Sequence, residues 1–316
     1  MTFQIQRTVL VAVMAATTVA LAAAAARPVR LSPAGAAAVL AEIEKDRADT
    51  QKWLQRDPTS YLATIDRRDF GDKRTLSVGR ASDNDLRIDD AAVSAHHLRV
   101  TLEGDRFRVE AVDPSAQFRA SGQGRTIEDV DRREAVVDPS SIRVGRFLLR
   151  LSHQRFPGII VFDPQSPHFA QYKGLKYFPP DLSYRYELPL TPNPKPETIV
   201  ILSTRGNQRR ATRVGWFEFM VGDTAVKLEA VRLLEPGVGE ADLGIFFRDA
   251  TTGKESYELG RYVDVKKLPA GTYLLDFNFT YNPACAYSDH YNCPIPPKAN
   301  VLGVPIRAGE MDAHYH

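Results

Sequence analysis

From residue 68 the chain breaks into short runs in which apolar and polar residues alternate: TLSVGR, NDLRID, HHLRVTL, DRFRVEAV and SIRVGRFLLRLS. Alternation with a period of two puts successive side chains on opposite faces of a strand, so each run reads as half-buried sheet. Turn residues separate the runs, as in Ser82-Asp83-Asn84-Asp85, Asp89-Asp90 and Glu103-Gly104-Asp105. Short strands with regular turn signals predict a β-sandwich or barrel. A second set begins at residue 157: GIIVF, YRYELPL, ETIVILSTRG, ATRVGWFEFMV, TAVKLEAVRLL, GIFFRDA and TYLLDFNF, rich in Val, Ile, Phe and Tyr. Gly206-Asn207 and Gly222-Asp223 are hairpin-type turns, which predicts an up-and-down meander over 198–234. Residues 33–56 carry a helical period, with Val39, Leu40, Ile43, Trp53 and Leu54 at roughly helical spacing, Ser32 as cap, Pro33 in the first turn and Pro58 as the stop. That helix reads as a strap packed on a sheet. The expected fold is all-β: a helical segment at 27–68, then two sandwich- or barrel-like domains at 69–152 and 153–316.

The first 26 residues belong to neither domain. Arg7 precedes an uncharged, mostly apolar run that ends in an alanine tract before Arg27-Pro28. This is the pattern of a secretory signal peptide cleaved near residue 26. An uncleaved membrane anchor is the rival. Either places the working chain outside the cytoplasm, periplasmic or extracellular, and cleavage leaves no membrane span. About 290 residues then remain, with 40 basic against 39 acidic side chains. That balance leaves no electrostatic footprint for nucleic acid.

Within the first β-region, Gly79-Arg80 is followed by Asp83-Asn84-Asp85-Leu86 and then by Val93-Ser94-x-x-His97 and the strand Leu98–Leu102. This order resembles a forkhead-associated domain over residues 70–152. The resemblance implies a phosphothreonine grip by Arg80 and Ser94, with His97 bracing the loop. An Arg beside a hydroxyl suits phosphate, through charge-assisted bonds plus a neutral donor. The asparagine-glycine turn that reads the peptide in that family is replaced here by SAQFRASGQGRTIED. Phosphothreonine is also scarce outside the cytoplasm. The expectation is therefore a retained scaffold with an inactive grip.

In the second region, TYLLDFNFTYN read as one strand places Asp276, Asn278, Thr280 and Asn282 on one face. Upstream, Glu255, Tyr257, Leu259 and Arg261 share a face of DATTGKESYELGRYVDV. If the two strands are neighbours, Arg261 reaches Asp276 and Glu255 completes a charged cluster. That cluster is either a buried polar network or the lining of a site. A Glu255–Asp276 carboxylate pair suits acid–base hydrolysis of a glycan. Each carboxylate suits a salt bridge to Arg261 equally well. There is no G-x-S-x-G elbow and no phosphate-cradling glycine loop. No cofactor and no metal are expected.

The strings DATTGKESYELGRYVDV, LDFNFTYNPACAY and CPIPPKANVLGVPIRAGE, with FAQYKGLKYFPPDLSYRYELPL upstream, resemble the domain of unknown function 1684 family over residues 155–312. The resemblance implies no reaction. Its recurring elements fall on Asp249, Glu255, Tyr257, Arg261, Tyr262, Asp276, Asn278, Tyr281, Asn282, Tyr287, Asn300 and Glu310, among others. Asp249, Tyr257, Arg261, Tyr262, Asn278, Tyr281, Asn282, Tyr287 and Asn300 are the ligand-binding candidates, and Glu255 and Asp276 the catalytic ones.

Both cysteines, Cys285 and Cys293, lie in TYNPACAYSDHYNCPIPPKAN. In an oxidising compartment a disulfide is the expected state, since seven intervening residues close easily. Two thiols kept apart, or a metal clip with His290, are the alternatives. The proline-rich loop then forms a rigid cover over the polar ladder. Taken together, the sequence points to an exported binding or interaction module whose partner is a small polar ligand or an envelope protein. A hydrolase acting on a polar or glycan-type substrate is the alternative.

Overall fold

The computed structural model describes residues 26–121, 126–153, 156–235 and 238–312. The signal segment, apart from Ala26, lies outside the described residues. The helix, α1 (Pro33–Arg56), forms as its caps predict: Ser32 Oγ accepts the Gly35 N–H at 3.1 Å, and Pro33 sits in the first turn. Val39, Ile43 and Leu54 are its buried residues.

Ten strands follow. They are β1 (Thr64–Asp69), β2 (Thr75–Gly79), β3 (Leu86–Arg87), β4 (Leu98–Glu103), β5 (Arg106–Ala111), β6 (Arg119–Ala120), β7 (Glu134–Val137), β8 (Ser141–Val144), β9 (Phe147–Ser152) and β10 (Gly158–Phe162). They make two five-stranded sheets, ordered β3-β2-β4-β5-β7 and β1-β10-β9-β8-β6. The alternating apolar positions meet between the sheets, where Leu76, Val78, Val100, Phe107, Val109, Ile142, Leu149 and Leu151 are buried.

The sandwich extends past both expected boundaries. GIIVF does not open the second region. As β10 it pairs antiparallel with both β9 and β1. Every residue of β10 is buried. Ile159 and Val161 join the sandwich core, while Ile160 and Phe162 pack with Ala63 on the other side. A strand covered on both faces has no polar alternation, so the run carries no sign of which sheet it joins.

The second region is one seven-stranded antiparallel sheet. Its strands are β11 (Arg185–Leu188), β12 (Thr191–Leu202), β13 (Gln208–Val221), β14 (Thr224–Leu233), β15 (Gly244–Phe247), β16 (Arg261–Lys267) and β17 (Tyr273–Asp276), ordered β11-β17-β16-β15-β14-β13-β12. The expected meander is β12-β13-β14. Tyr186, Phe217, Phe219, Phe247, Val263, Leu275 and Phe277 form its core. The short helix α2 (His168–Gln171) lies in the link between the two regions.

Two expected strands are strands only in part. β17 stops at Asp276, whose Oδ1 accepts the Asn278 N–H (3.0 Å) and Asn278 Nδ2 (2.8 Å) and turns the chain into a 3-10 helix, Phe277–Phe279. Residues 249–260 form turns, because the Asp249 carboxylate accepts the Thr251 N–H at 2.6 Å and draws the backbone into a local loop.

α1 straps the second region. Arg47 Nη2 donates to Phe178 O (3.0 Å), and Gln51 Oε1 accepts the Tyr172 hydroxyl (2.7 Å) and the Leu175 N–H (3.2 Å). Leu54 and the half-buried Trp53 join an apolar cluster with Tyr257, Tyr262, Cys285 and Tyr287. Among the described residues no helix is long and apolar enough to cross a membrane.

Candidate functional site

The site is organised from behind by Arg261, which is buried at 1% exposure. Its Nη2 donates to Asp249 Oδ2 (2.6 Å) and Ile306 O (2.7 Å), and its Nη1 to Ala308 O (2.7 Å) and Glu310 O (3.0 Å). A carboxylate and three carbonyls bind this guanidinium and hold the extended tail in place, while desolvation still lowers its pKa and its Nε has no partner among the described residues. Gly309, at φ 76°, lets that tail approach Thr280: a Cβ there would lie 2.5 Å from Thr280 O and 2.8 Å from Phe277 O. Glu310 N–H then donates to Thr280 O at 2.9 Å.

These contacts aim the Glu310 side chain at the floor of a cavity of about 430 Å³. Glu310 Oε2 accepts the Asn282 N–H (2.7 Å) and the Tyr287 hydroxyl (2.9 Å). Burial nevertheless raises its carboxyl to about 7, outweighing those two bonds and the charge of Arg261, and Asp46 adds to the upward push. Asn278, Thr280 and Tyr287 complete the floor, while α1 supplies Asp46, Thr50 and Trp53 as one wall. Tyr61, Tyr177 and Tyr281 supply more aromatic surface, and Asp264 joins Asp46 as a solvent-exposed carboxylate of the lining. Desolvation raises the pKa of Asp46 and of Asp264. It also raises the phenols of Tyr61, Tyr177 and Tyr281, which therefore stay protonated at neutral pH. Tyr61 meets Trp53 edge-on at 4.8 Å and stacks on Tyr287 at 5.4 Å, so the aromatic side is braced.

Among the described residues, three buried polar atoms of this lining have no hydrogen-bond partner: Tyr177 Oη, Thr280 Oγ1 and Asn282 Oδ1. Thr280 and Asn282 are only 1% and 2% exposed. Buried polar atoms are normally paired, and leaving one unpaired costs about 1–3 kcal/mol. Their gathering in one cavity makes it the candidate site.

The sequence candidates divide around this cavity. Asn278, Tyr281, Asn282 and Tyr287 line it. Asp249, Tyr257, Arg261, Tyr262 and Asn300 are internal braces. Tyr257 Oη donates to Cys285 O (3.3 Å), Tyr262 Oη to Pro294 O, and Asn300 binds the Glu229 N–H (2.7 Å) and the carbonyls of Glu229 and Phe246 (2.9 Å each). The expected charged cluster is not assembled. Arg261 pairs with Asp249, Asp276 with Arg185 (2.5 Å), and Glu255 with Arg307 at the surface (2.9 Å). The cause is the turn at 249–260, which takes Glu255 out of strand register with Arg261. Glu255 and Asp276 are each held by a different arginine, and neither lines the cavity.

The expected disulfide is not formed in the structure: Cys285 and Cys293 stand as buried thiols, with the Cys285 N–H 3.3 Å from Cys293 Sγ. Their mutual hydrogen bond lowers Cys285, and that bond together with burial raises Cys293 well above a normal thiol. Burial lowers the pKa of His290. Among the described residues no three His, Cys, Asp or Glu side chains cluster as a metal site.

Sequence reasoning missed Glu310 as a site residue, although the tail motif contains it. It also missed Tyr61, Tyr177, Asp46, Trp53 and Asp264, which come from segments far apart in sequence. The one available signal was the polar ladder, whose Asn278, Thr280 and Asn282 do share the cavity.

In the first sandwich the structure brings Arg80, Ser94 and His97 together. His97 is buried, its Nδ1 accepts the Ser94 N–H (3.1 Å), and its Nε2 lies 2.9 Å from Gln117 O. The Arg80 N–H donates to Ser94 O (3.0 Å), and its exposed side chain bonds Val93 O through Nε (3.3 Å).

Comparison with known proteins matches both halves. Residues 76–133 match the FHA domain and residues 170–311 match the family described as "Protein of unknown function (DUF1684)". An uncharacterised protein of Haloarcula marismortui, solved by solution NMR, is 36% identical over 49% of this chain and 85% of its own, with a TM-score of 0.39. Mycobacterium tuberculosis EmbR in complex with a low-affinity phosphopeptide is 17% identical over 40% of this chain and 29% of its own, with a TM-score of 0.21. No curated protein matches. The chain belongs, through residues 170–311, to the DUF1684 family of proteins of unknown function, and carries an FHA domain ahead of it.

Proposed function

We propose that this chain is a binding protein, and that the cavity beneath α1 takes a small polar ligand. The observation that carries this reading is the set of partnerless buried atoms, Tyr177 Oη, Thr280 Oγ1 and Asn282 Oδ1, in one cavity. A ligand that satisfies them recovers the desolvation cost of each. Catalysis has less support, because the buried Asp249 and Asp276 are each neutralised by an arginine. The pattern of residues 1–26 supports export, with the binding function outside the cytoplasm. The test is a thermal-shift screen of the chain without residues 1–26 against sugars, peptides, amines and phosphorylated compounds. A ligand of this cavity raises the melting temperature of the parent chain and has a smaller effect on Thr280→Val. Stabilisation that is equal in both proteins points away from the cavity.

A second reading concerns the FHA face. His97 locks Ser94 beside Arg80, whose guanidinium is exposed, and this arrangement supports docking of a phosphorylated segment of a partner protein. Titration with phosphothreonine peptides and their unphosphorylated twins tests it. Micromolar binding that needs the phosphate and disappears in Arg80→Ala supports docking. No difference between the twins leaves the face as scaffold.

A further inference from the structure

Among the described residues the cavity lining contains three carboxylates, Asp46, Asp264 and Glu310, and no lysine, arginine or histidine. The cations nearby are otherwise engaged. Arg261 lies behind the floor and is matched by Asp249. Arg47 stacks on the Tyr177 ring at 4.7 Å and pairs with Glu44 at 3.5 Å. Among the described residues the carboxylates of the lining are thus left without a basic partner inside the cavity. The charge of Asp46 makes Glu310 harder to ionise. A positive charge placed between them relieves both.

The walls suit a cation too. Trp53, Tyr61, Tyr177, Tyr281 and Tyr287 present aromatic surface, which attracts positive charge and accepts methylene chains. The unpartnered atoms choose among cations. Asn282 Oδ1 is purely an acceptor, and its own amide nitrogen is already donated to Met311 O at 2.8 Å. Satisfying it takes an N–H or O–H donor, which a quaternary ammonium lacks. The acids are also graded in depth, with Glu310 3% exposed at the floor and Asp46 and Asp264 open to solvent.

Building on the ligand-binding reading above, we infer that the cavity binds a linear aliphatic di- or polyamine. One primary ammonium sits at the floor against Glu310 and Asn282 Oδ1, the methylenes run along the aromatic wall, and a second ammonium meets Asp46 or Asp264. The ammonium at the floor supplies three donors, which complement the ionised Glu310 carboxylate, Asn282 Oδ1 and a lone pair of Thr280 Oγ1.

The experiment is isothermal titration calorimetry of the chain without residues 1–26 at neutral pH. The probes are α,ω-diamines of increasing length, spermidine, tetramethylammonium, glucosamine, and the diol matching the tightest diamine. The expected result is saturable one-site binding of a diamine or spermidine, with tetramethylammonium and the diol silent. Glu310→Gln keeps an acceptor for the Asn282 N–H and the Tyr287 hydroxyl, so it should remain folded. It should weaken amine binding by roughly tenfold or more, the loss of one charge-assisted bond. Asp46→Asn, at an exposed helix position, gives a second variant that does not depend on the floor. Amine binding that is unchanged in both variants overturns the inference, as does tetramethylammonium binding as tightly as the diamine. If only glucosamine or the diol binds, and Thr280→Val weakens it, the amine class falls and the ligand-binding reading stands. If neither these probes nor the wider thermal-shift screen yields a ligand sensitive to Thr280→Val, both fall.

Discussion

Glu310 and Tyr287 share one short contact, with the Tyr287 hydroxyl donating to Glu310 Oε2 at 2.9 Å in a setting where both side chains are almost wholly buried. The bond favours the ionised carboxylate, yet burial raises Glu310 to about 7. The folded state therefore holds a proton that the unfolded chain, with an ordinary carboxyl, has lost.

Between pH 4.5 and about 7 the native state binds more protons than the unfolded one, so stability falls as pH rises through that window. The contribution is fully present below pH 4.5, and about 3 kcal/mol of it is gone above about pH 7. Glu310→Gln lacks this titration, so it should gain on the parent chain as pH rises. Urea unfolding of both proteins from pH 4.5 to 8 measures the gap. Parallel stability curves would show an ordinary carboxyl.

Arg261 and Asp249 form a pair buried on all sides. Arg261→Ala strands Asp249 and unties Ile306, Ala308 and Glu310, so it should cost about 3–5 kcal/mol. Glu255→Ala, at a surface pair with Arg307, should cost far less, because the pair is exposed and screened by solvent. Chemical denaturation of the two variants compares them. Equal losses would contradict the placement of Arg261.

Asp276→Asn should also destabilise, by on the order of 3 kcal/mol, through Arg185 and not Arg261. In a double-mutant cycle Asp276 should couple to Arg185 and show no coupling to Arg261. The opposite pattern would restore the strand register read from the sequence.

Cys285 and Cys293 sit close enough that compartment decides their state. We propose that in the exported protein they oxidise to a disulfide, adding roughly 2 kcal/mol by closing a short loop. Thiol labelling of denatured, unreduced protein from the native host reads the outcome. Two reactive thiols would mean that the pair stays reduced.

Mass spectrometry of that same preparation tests export. A mature start near Arg27 is expected from the charge, apolar run and alanine tract of residues 1–26. A chain still beginning at Met1 or Thr2 on the membrane would mean anchoring.

Local pattern was enough for the all-β class, the helix with its Ser32 cap, the meander of β12 to β14 and the resemblance of both regions to families. Each of these rests on signals a few residues long: alternation, turn chemistry and capping. Such signals failed where the local alternative is a side chain bonding its own backbone. Asp276 and Asp249 each stop an apparently regular strand in that way. They failed also at β10, whose two apolar faces say nothing about which sheet it joins. The cavity was decided by tertiary structure alone. Its floor comes from the Asn278–Asn282 turn and the tail at Glu310, and its wall from a helix more than two hundred residues upstream. The shift at Glu310 and the unpaired atoms beside it arise from desolvation when those distant segments close over one another, and no spacing along the chain encodes that burial.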